Sequence, residues 1–173
     1  MPTDAELKAL IRDIPDYPEP GIMFRDITPL LRRPGVLHAT IERMSGPWTD
    51  VDIVVGIESR GFILGAPMAE PLGAGFVPVR KPGKLPYETI EISYDLEYGA
   101  DTLELHIDAV EAGERVLIVD DVLATGGTAA ATIKLLEMAG ASVVGCSFLL
   151  EIAPLGGREM LGEVPVDVVL SYP

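Results

Sequence analysis

The run Val116-Leu117-Ile118-Val119-Asp120-Asp121-Val122-Leu123-Ala124-Thr125-Gly126-Gly127-Thr128-Ala129 decides the fold. Its first four residues are apolar without alternation, as in a strand buried on both faces. Two acids and a passage of small residues follow. From about Thr128 to Met138 the chain reads as a helix, with Gly140 as its stop. At the start of such a helix the unpaired backbone N–H groups and the positive end of the dipole favour an anion, and Gly126-Gly127 let a phosphate approach the backbone closely. Thr125 and Thr128 add hydroxyl donors. Asp120 and Asp121 cannot help a phosphate by charge; they suit sugar hydroxyls or metal-bound water. Successive strand residues face opposite ways, so both acids reach one bound molecule only if the chain is already turning at Asp121. A Gly-Gly turn also joins many strands to helices with nothing bound, so the segment by itself leaves both readings open. Neither a Gly-x-x-x-x-Gly-Lys-[Ser/Thr] loop nor a Gly-x-Gly-x-x-Gly fingerprint occurs, which removes the ATPase and dinucleotide readings.

Outward from this run the same rhythm repeats. Residues 53–57 form a short apolar strand, 62–72 a helix that Pro67 kinks or shortens, and 76–80 a second strand. A strand over 143–150 and an edge strand over 166–170 complete the set. Upstream, Thr3 and Glu6 make a capping box before Leu7, Leu10, Ile11 and Ile14, a helical spacing that Pro15 ends. The Pro-rich stretch 17–29 reads as an ordered loop, and 34–44 as a helix with Pro34 in its first turn. This alternation predicts an α/β fold, a mainly parallel twisted sheet flanked by helices. One segment breaks the rhythm: two alternating runs, 89–94 and 102–107, flank a Gly-containing turn and predict a protruding β-hairpin.

Composition narrows the function. The chain of 173 residues, 48% hydrophobic, has enough for one core and too little for two comfortable domains, so residues 1–173 are expected to form a single domain. A formal net charge of -14 argues against following a nucleic-acid backbone. The lone Cys146 cannot form an internal disulfide, and Met1-Pro2-Thr3-Asp4 has no signal pattern, which points to the cytoplasm. No apolar run approaches the ~20 residues that span a bilayer, because Arg60, Glu70 and Arg80 interrupt the most hydrophobic stretch. His38 and His106 lack metal-ligand spacing.

Three further clusters carry chemistry. Gly56-Ile57-Glu58-Ser59-Arg60-Gly61 follows a buried strand, so its N–H groups and Arg60 suit a second anion; a surface pair of Arg60 with Glu58 explains the same residues. Arg80, Lys81 and Lys84, shaped by Pro82, Gly83 and Pro86, form the densest basic cluster in an acidic chain, suited to an anionic leaving group or to plain solvation. Phe24 can stack on a planar base, with Met23 and Arg25 offering backbone donors and acceptors to its edge, or belong to the core.

Residues 116–129 resemble the phosphoribosyl-diphosphate motif of the type I phosphoribosyltransferases. Pro20-Gly21-Ile22-Met23-Phe24-Arg25-Asp26-Ile27, Glu58-Ser59-Arg60-Gly61-Phe62, and the segment from Arg80-Lys81-Pro82-Gly83-Lys84-Leu85-Pro86 to Tyr94-Asp95-Leu96-Glu97-Tyr98-Gly99 are similar to its adenine branch, so the likeness covers nearly the whole chain. It implies the family's fold, with a hood at about 15–33 and a flexible catalytic hairpin at about 81–107. It implies transfer of a 5-phosphoribosyl group from 5-phospho-α-D-ribosyl 1-diphosphate to adenine N9, giving AMP and pyrophosphate, with Mg²⁺ held mainly by substrate and water, in a homodimer. By the same likeness Asp120, Asp121, Ala124, Thr125, Gly126, Gly127 and Thr128 hold the phosphoribosyl group. Met23, Phe24, Arg25 and Ile152 hold adenine, and Glu58, Ser59, Arg60, Arg80, Lys81 and Lys84 hold pyrophosphate. Glu97, Tyr98 and Arg60 serve catalysis, with Glu97 moving a proton on the ring. A backbone C=O and N–H pair complements the edge of adenine and opposes that of hypoxanthine, each mispaired group costing ~1–3 kcal/mol. A transferase for a 6-oxopurine or pyrimidine, a silent phosphoribosyl-binding regulator and a bare phosphate-binding module are the readings to separate from this one.

Overall fold

The computed structural model describes residues 1–96 and 99–173. Thr3 caps α1 (Asp4–Lys8) through the reciprocal bonds with Glu6 that its spacing predicts. The helix is shorter than expected. Residues Arg12–Pro15 form β1, which pairs antiparallel with β2 (Met23–Asp26), so that Ile14 lies opposite Phe24. Pro15, Pro18 and Pro20 deny this stretch helical geometry, and an apolar residue at position 14 serves a strand as readily as a helix. The Pro-rich loop therefore contains β2 and the short α2 (Thr28–Leu31), with the Asp26 carboxylate accepting the N–H and hydroxyl of Thr28 at 2.9 and 2.8 Å. α3 (Val36–Ser45) starts after Gly35, leaving Pro34 ahead of the first turn instead of inside it.

β3 (Ile53–Ile57) runs into α4 (Arg60–Leu72) and then β4 (Gly75–Val79). Pro67 and Pro71 lie within α4 without shortening it. Both are exposed, as is Ile63, so the carbonyl that Pro67 leaves without its usual donor is on the solvent side. The hairpin strands β5 (Thr89–Leu96) and β6 (Gly99–His106) precede β7 (Arg115–Leu123), α5 (Gly127–Met138), β8 (Ser142–Ile152), α6 (Gly157–Met160) and β9 (Val166–Tyr172). Five strands form one sheet in the order β4-β3-β7-β8-β9, and every pairing in it is parallel.

The unbroken apolar run of β7 has a direct structural cause. Leu117 and Val119 belong to one core with Leu64 and Met68 of α4, while Val116 and Ile118 belong to a second with Ile133 and Leu136 of α5. A strand covered by a helix on each face has no solvent side to carry polar residues. Each fully buried Leu contributes ~1.5–3 kcal/mol. Ile90, Ile92 and Tyr94 pack against the second core, and Leu103 and Leu105 are fully buried. The body of the hairpin expected to protrude is thus held down on the α5 side of the sheet, while Glu97 and Tyr98 lie outside the described residues.

Candidate active site

The strand order places a crevice where it can be used. From β3 the chain moves outward to β4 through α4, and from β7 it moves the opposite way to β8 through α5, on the other face. The carboxyl ends of β3 and β7 therefore flank a topological switch point, where open α/β sheets take their ligands. The loop after β7 and the start of α5 line a cavity of about 140 Å³ with Asp120, Ala124, Thr125, Gly126, Gly127 and Thr128 among its walls. Gly126 has φ 85, and an added Cβ would stand 2.6 Å from the Gly157 carbonyl oxygen. Only glycine fits that position.

The acids part company. β7 stays extended through Leu123, so the chain is not turning at Asp121 as shared contact requires. Asp120 lines the cavity and accepts the Asp121 N–H at 2.9 Å. Burial, and then the charge of Asp121, pushes its carboxyl well above the usual carboxylate range. Asp121 is buried outside the cavity wall and takes the Nε of Arg60. That ion pair ties the carboxyl ends of β3 and β7 together, and Gly61 lets α4 start directly against β7. A Cβ at Gly61 would lie 2.6 Å from the Val119 carbonyl oxygen and 3.1 Å from an Asp120 carboxylate oxygen.

The basic loop after β4 is gathered on acids of the same chain. Glu58 accepts the Lys81 N–H at 3.0 Å, the Arg80 Nε at 3.3 Å and the Lys84 ammonium. Burial alone would raise Glu58, but these three donors outweigh it and bring the carboxyl down to about 2. The Lys81 ammonium pairs with Asp101 of β6. Arg60 therefore pairs with Asp121 and not with Glu58. Ser59 stands at the N-terminal end of α4 without capping it by its side chain.

The β1–β2 ribbon brings Phe24 to this edge. The Arg60 guanidinium lies 5.4 Å from the Phe24 ring centroid, and Tyr17 packs edge-on at 5.2 Å. Met23 is exposed. The Arg25 side chain turns elsewhere, pairing with Asp13 and lying 4.4 Å from the Tyr172 ring. Ile152 ends β8 on the same carboxyl edge of the sheet, half-buried against the first core. Cys146 is buried, which pushes its thiol up to about 12, and His38 is exposed beside Glu42. Among the described residues no group of three or more His, Cys, Asp or Glu is arranged to hold a metal ion, and no helix is long and apolar enough to cross a membrane. Sequence reasoning passed over Tyr94 and Asp101, whose side chains reach this edge from the hairpin. The inward alternation of Ile90, Ile92 and Tyr94 is the signal that identifies the first of them.

Known proteins are similar to this chain in sequence and fold. A family model, the phosphoribosyl transferase domain, matches residues 36–165. An adenine phosphoribosyltransferase of Acidothermus cellulolyticus is 61% identical over 165 residues, covering 94% of this chain and 92% of its own. The chain belongs to the adenine phosphoribosyltransferase family. The crystal structure of the family's Rhodothermus marinus member is 59% identical and superposes with a TM-score of 0.93 over 98% of both chains. That of the Saccharomyces cerevisiae member, complexed with D-2,5-dideoxy-2,5-imino-altritol 1,6-bisphosphate and adenine, is 42% identical with a TM-score of 0.89 over 96% of this chain and 98% of its own. The family's α/β fold and five-stranded parallel sheet are those described above.

Proposed function

We propose that this member of the family condenses adenine with 5-phospho-α-D-ribosyl 1-diphosphate to give AMP and pyrophosphate, with residues 124–128 holding the 5′-phosphate. The observation that carries the placement is the cavity at the β7–α5 junction, where a glycine with positive φ opens the start of α5. The first N–H groups of α5 have no helical partners, and with the Thr125 and Thr128 hydroxyls they supply donors to a phosphate's oxygens. Asp120, in the cavity wall, accepts from a ribose hydroxyl. Asp121 acts by orienting Arg60, a change from the idea that both acids clasp the sugar.

Attack by adenine N9 at ribose C1′ breaks the bond to the diphosphate oxygen, and negative charge grows on the leaving group. Arg60, Arg80, Lys81 and Lys84 stand ready to receive it, since each keeps N–H donors beyond those its acid partner uses. Phe24 stacks on the base, with Ile152 on its other face and the Met23 and Arg25 backbone along its edge. Glu97 moves the proton, and Tyr98 serves catalysis with it. Hard oxygen donors at the site, Asp120 and substrate oxygens bridged by water, fit Mg²⁺, which when bound would neutralise the leaving diphosphate. Family likeness also supports a homodimer, and the single cysteine a cytoplasmic setting.

The test is turnover of radiolabelled adenine, hypoxanthine, guanine and orotate with the phosphoribosyl donor and Mg²⁺. Adenine should be preferred by at least about a hundredfold, the size of two mispaired groups; preference for hypoxanthine overturns the hood assignment. A structure with AMP bound should place Phe24 against the base and the phosphate at residues 124–128.

A further inference from the structure

The hydroxyl of Tyr94 stands between two polar side chains from different elements. It lies 3.3 Å from Asp101 Oδ2, on the cross-strand partner of Tyr94 in the hairpin, and 3.1 Å from Thr128 Oγ1, in the first turn of α5 and in the cavity wall. The Asp101 carboxylate also accepts the Lys81 ammonium, from the basic loop, and the Thr102 N–H at 2.8 Å. One tyrosine thus joins the hairpin, the leaving-group cations and the phosphate cradle.

The protons available at this contact fix the direction of each hydrogen bond. A phenol has one proton and a carboxylate only accepts, so the Tyr94 O–H donates to Asp101 and Thr128 donates its own proton to the phenol oxygen. An anion in the cradle is also acceptor-only, so the Thr128 hydroxyl must turn its proton to the anion. Tyr94 then keeps its contact with Thr128 only by donating to it, which withdraws the proton from Asp101. A hydroxyl already donating to an anion is a stronger acceptor, and this favours the exchange. The hydrogen bond of Tyr94 thereby moves from within the hairpin to between the hairpin and α5, and Asp101 is left to Lys81 and the Thr102 N–H.

We propose that Tyr94 is a positioning residue that reads occupancy of the phosphate cradle and, when it is filled, pins the half of the hairpin nearest its turn to α5. The proposal rests on reading residues 124–128 as the phosphate site. It gives the anionic substrate a means of fixing the position of β5 and β6, the strands on either side of Glu97 and Tyr98 in the sequence.

The experiment compares the full-length protein with its Tyr94→Phe variant, which keeps the ring packed on the second core. Ribose 5-phosphate is titrated by calorimetry, and amide hydrogen exchange is followed in β5 and β6 with and without it. In the unaltered protein ribose 5-phosphate should slow exchange in both strands about tenfold. In Tyr94→Phe it should still bind, about fivefold more weakly, the equivalent of one hydrogen bond, while leaving hairpin exchange unchanged. The KM for the phosphoribosyl donor should rise by a similar factor and that for adenine should stay within twofold. Thr128→Ser keeps a hydroxyl at this position and should retain the protection. Equal protection of the hairpin in the Phe variant and the unaltered protein overturns the role of Tyr94 and leaves the cradle standing. Failure of ribose 5-phosphate to bind the unaltered protein overturns the cradle and the proposal with it.

Discussion

Arg60 and Asp121, 61 residues apart in the chain, form an ion pair that fastens the start of α4 to the end of β7. The carboxylate is buried and the guanidinium keeps one face toward the Phe24 ring, so the pair fixes where Arg60 can present its remaining donors. Asp121→Asn keeps the shape and an acceptor but removes the charge, leaving a half-exposed arginine without its counter-ion. Stability should fall by about 1–3 kcal/mol in urea unfolding. With Arg60 proposed to meet the leaving diphosphate, the KM for the phosphoribosyl donor should rise more than the KM for adenine; equal rises in both would place Arg60 on the base instead.

Gly61 makes the start of α4 possible at that spot. With the Val119 carbonyl oxygen 2.6 Å from where a Cβ would be, Gly61→Ala must push α4 away from β7. Overpacking of this kind costs about 1–3 kcal/mol, and the shift also moves Arg60 off Asp121. The variant should lose stability and at least about tenfold in kcat/KM together, a coupling that a purely local clash would not produce.

Glu58 gives the protein a pH signature. Its carboxyl falls from an ordinary 4.5 to about 2 in the folded chain, so the unfolded chain takes up the proton first as pH is lowered. The stabilisation is therefore complete above pH 4.5 and is lost as pH falls through about 2. Comparing the urea stability of the unaltered protein with that of Glu58→Gln, the difference should be about 1–3 kcal/mol near neutrality, reduced by screening at the half-exposed Lys84. It should shrink steadily below pH 4.5. A difference that stays flat down to pH 3 would mean the three donors do not converge on this carboxylate.

Local features of the site were legible in the chain and distant ones were not. The β7–α5 run declares itself because burial on two faces, an anion-ready helix start and a glycine of positive φ are all properties of neighbouring residues. The hairpin declares itself by period-2 alternation. The ion pairs do not: Lys84 meets Glu58 across 26 positions and Lys81 meets Asp101 across 20, and both depend on β4 lying beside β3 and on β6 folding back over Arg80. The divergence of Asp120 and Asp121 depends on how far β7 stays extended, which the pairing with β8 sets. β1 was hidden for a different reason, since Leu7, Leu10, Ile11 and Ile14 satisfy a helical period although only Asp4–Lys8 form one.

Phe24 supplies the last prediction. Its ring is half-buried between Tyr17 and the Arg60 guanidinium, and the ribbon that carries it is anchored by Ile14 opposite and by Asp26 on Thr28. Removing the ring should therefore cost the fold little, while a base loses its stacking partner, worth ~1–3 kcal/mol for an aromatic side chain. Phe24→Ala should raise the KM for adenine by about five- to a hundredfold and leave the melting temperature within a few degrees. Because the cradle at residues 124–128 is built from other elements, the affinity for ribose 5-phosphate should stay within about twofold. Phe24→Trp, which keeps a stacking face, should recover most of the lost adenine affinity. If both variants weaken ribose 5-phosphate and adenine alike, Phe24 serves to hold Arg60 in place and the base is bound elsewhere.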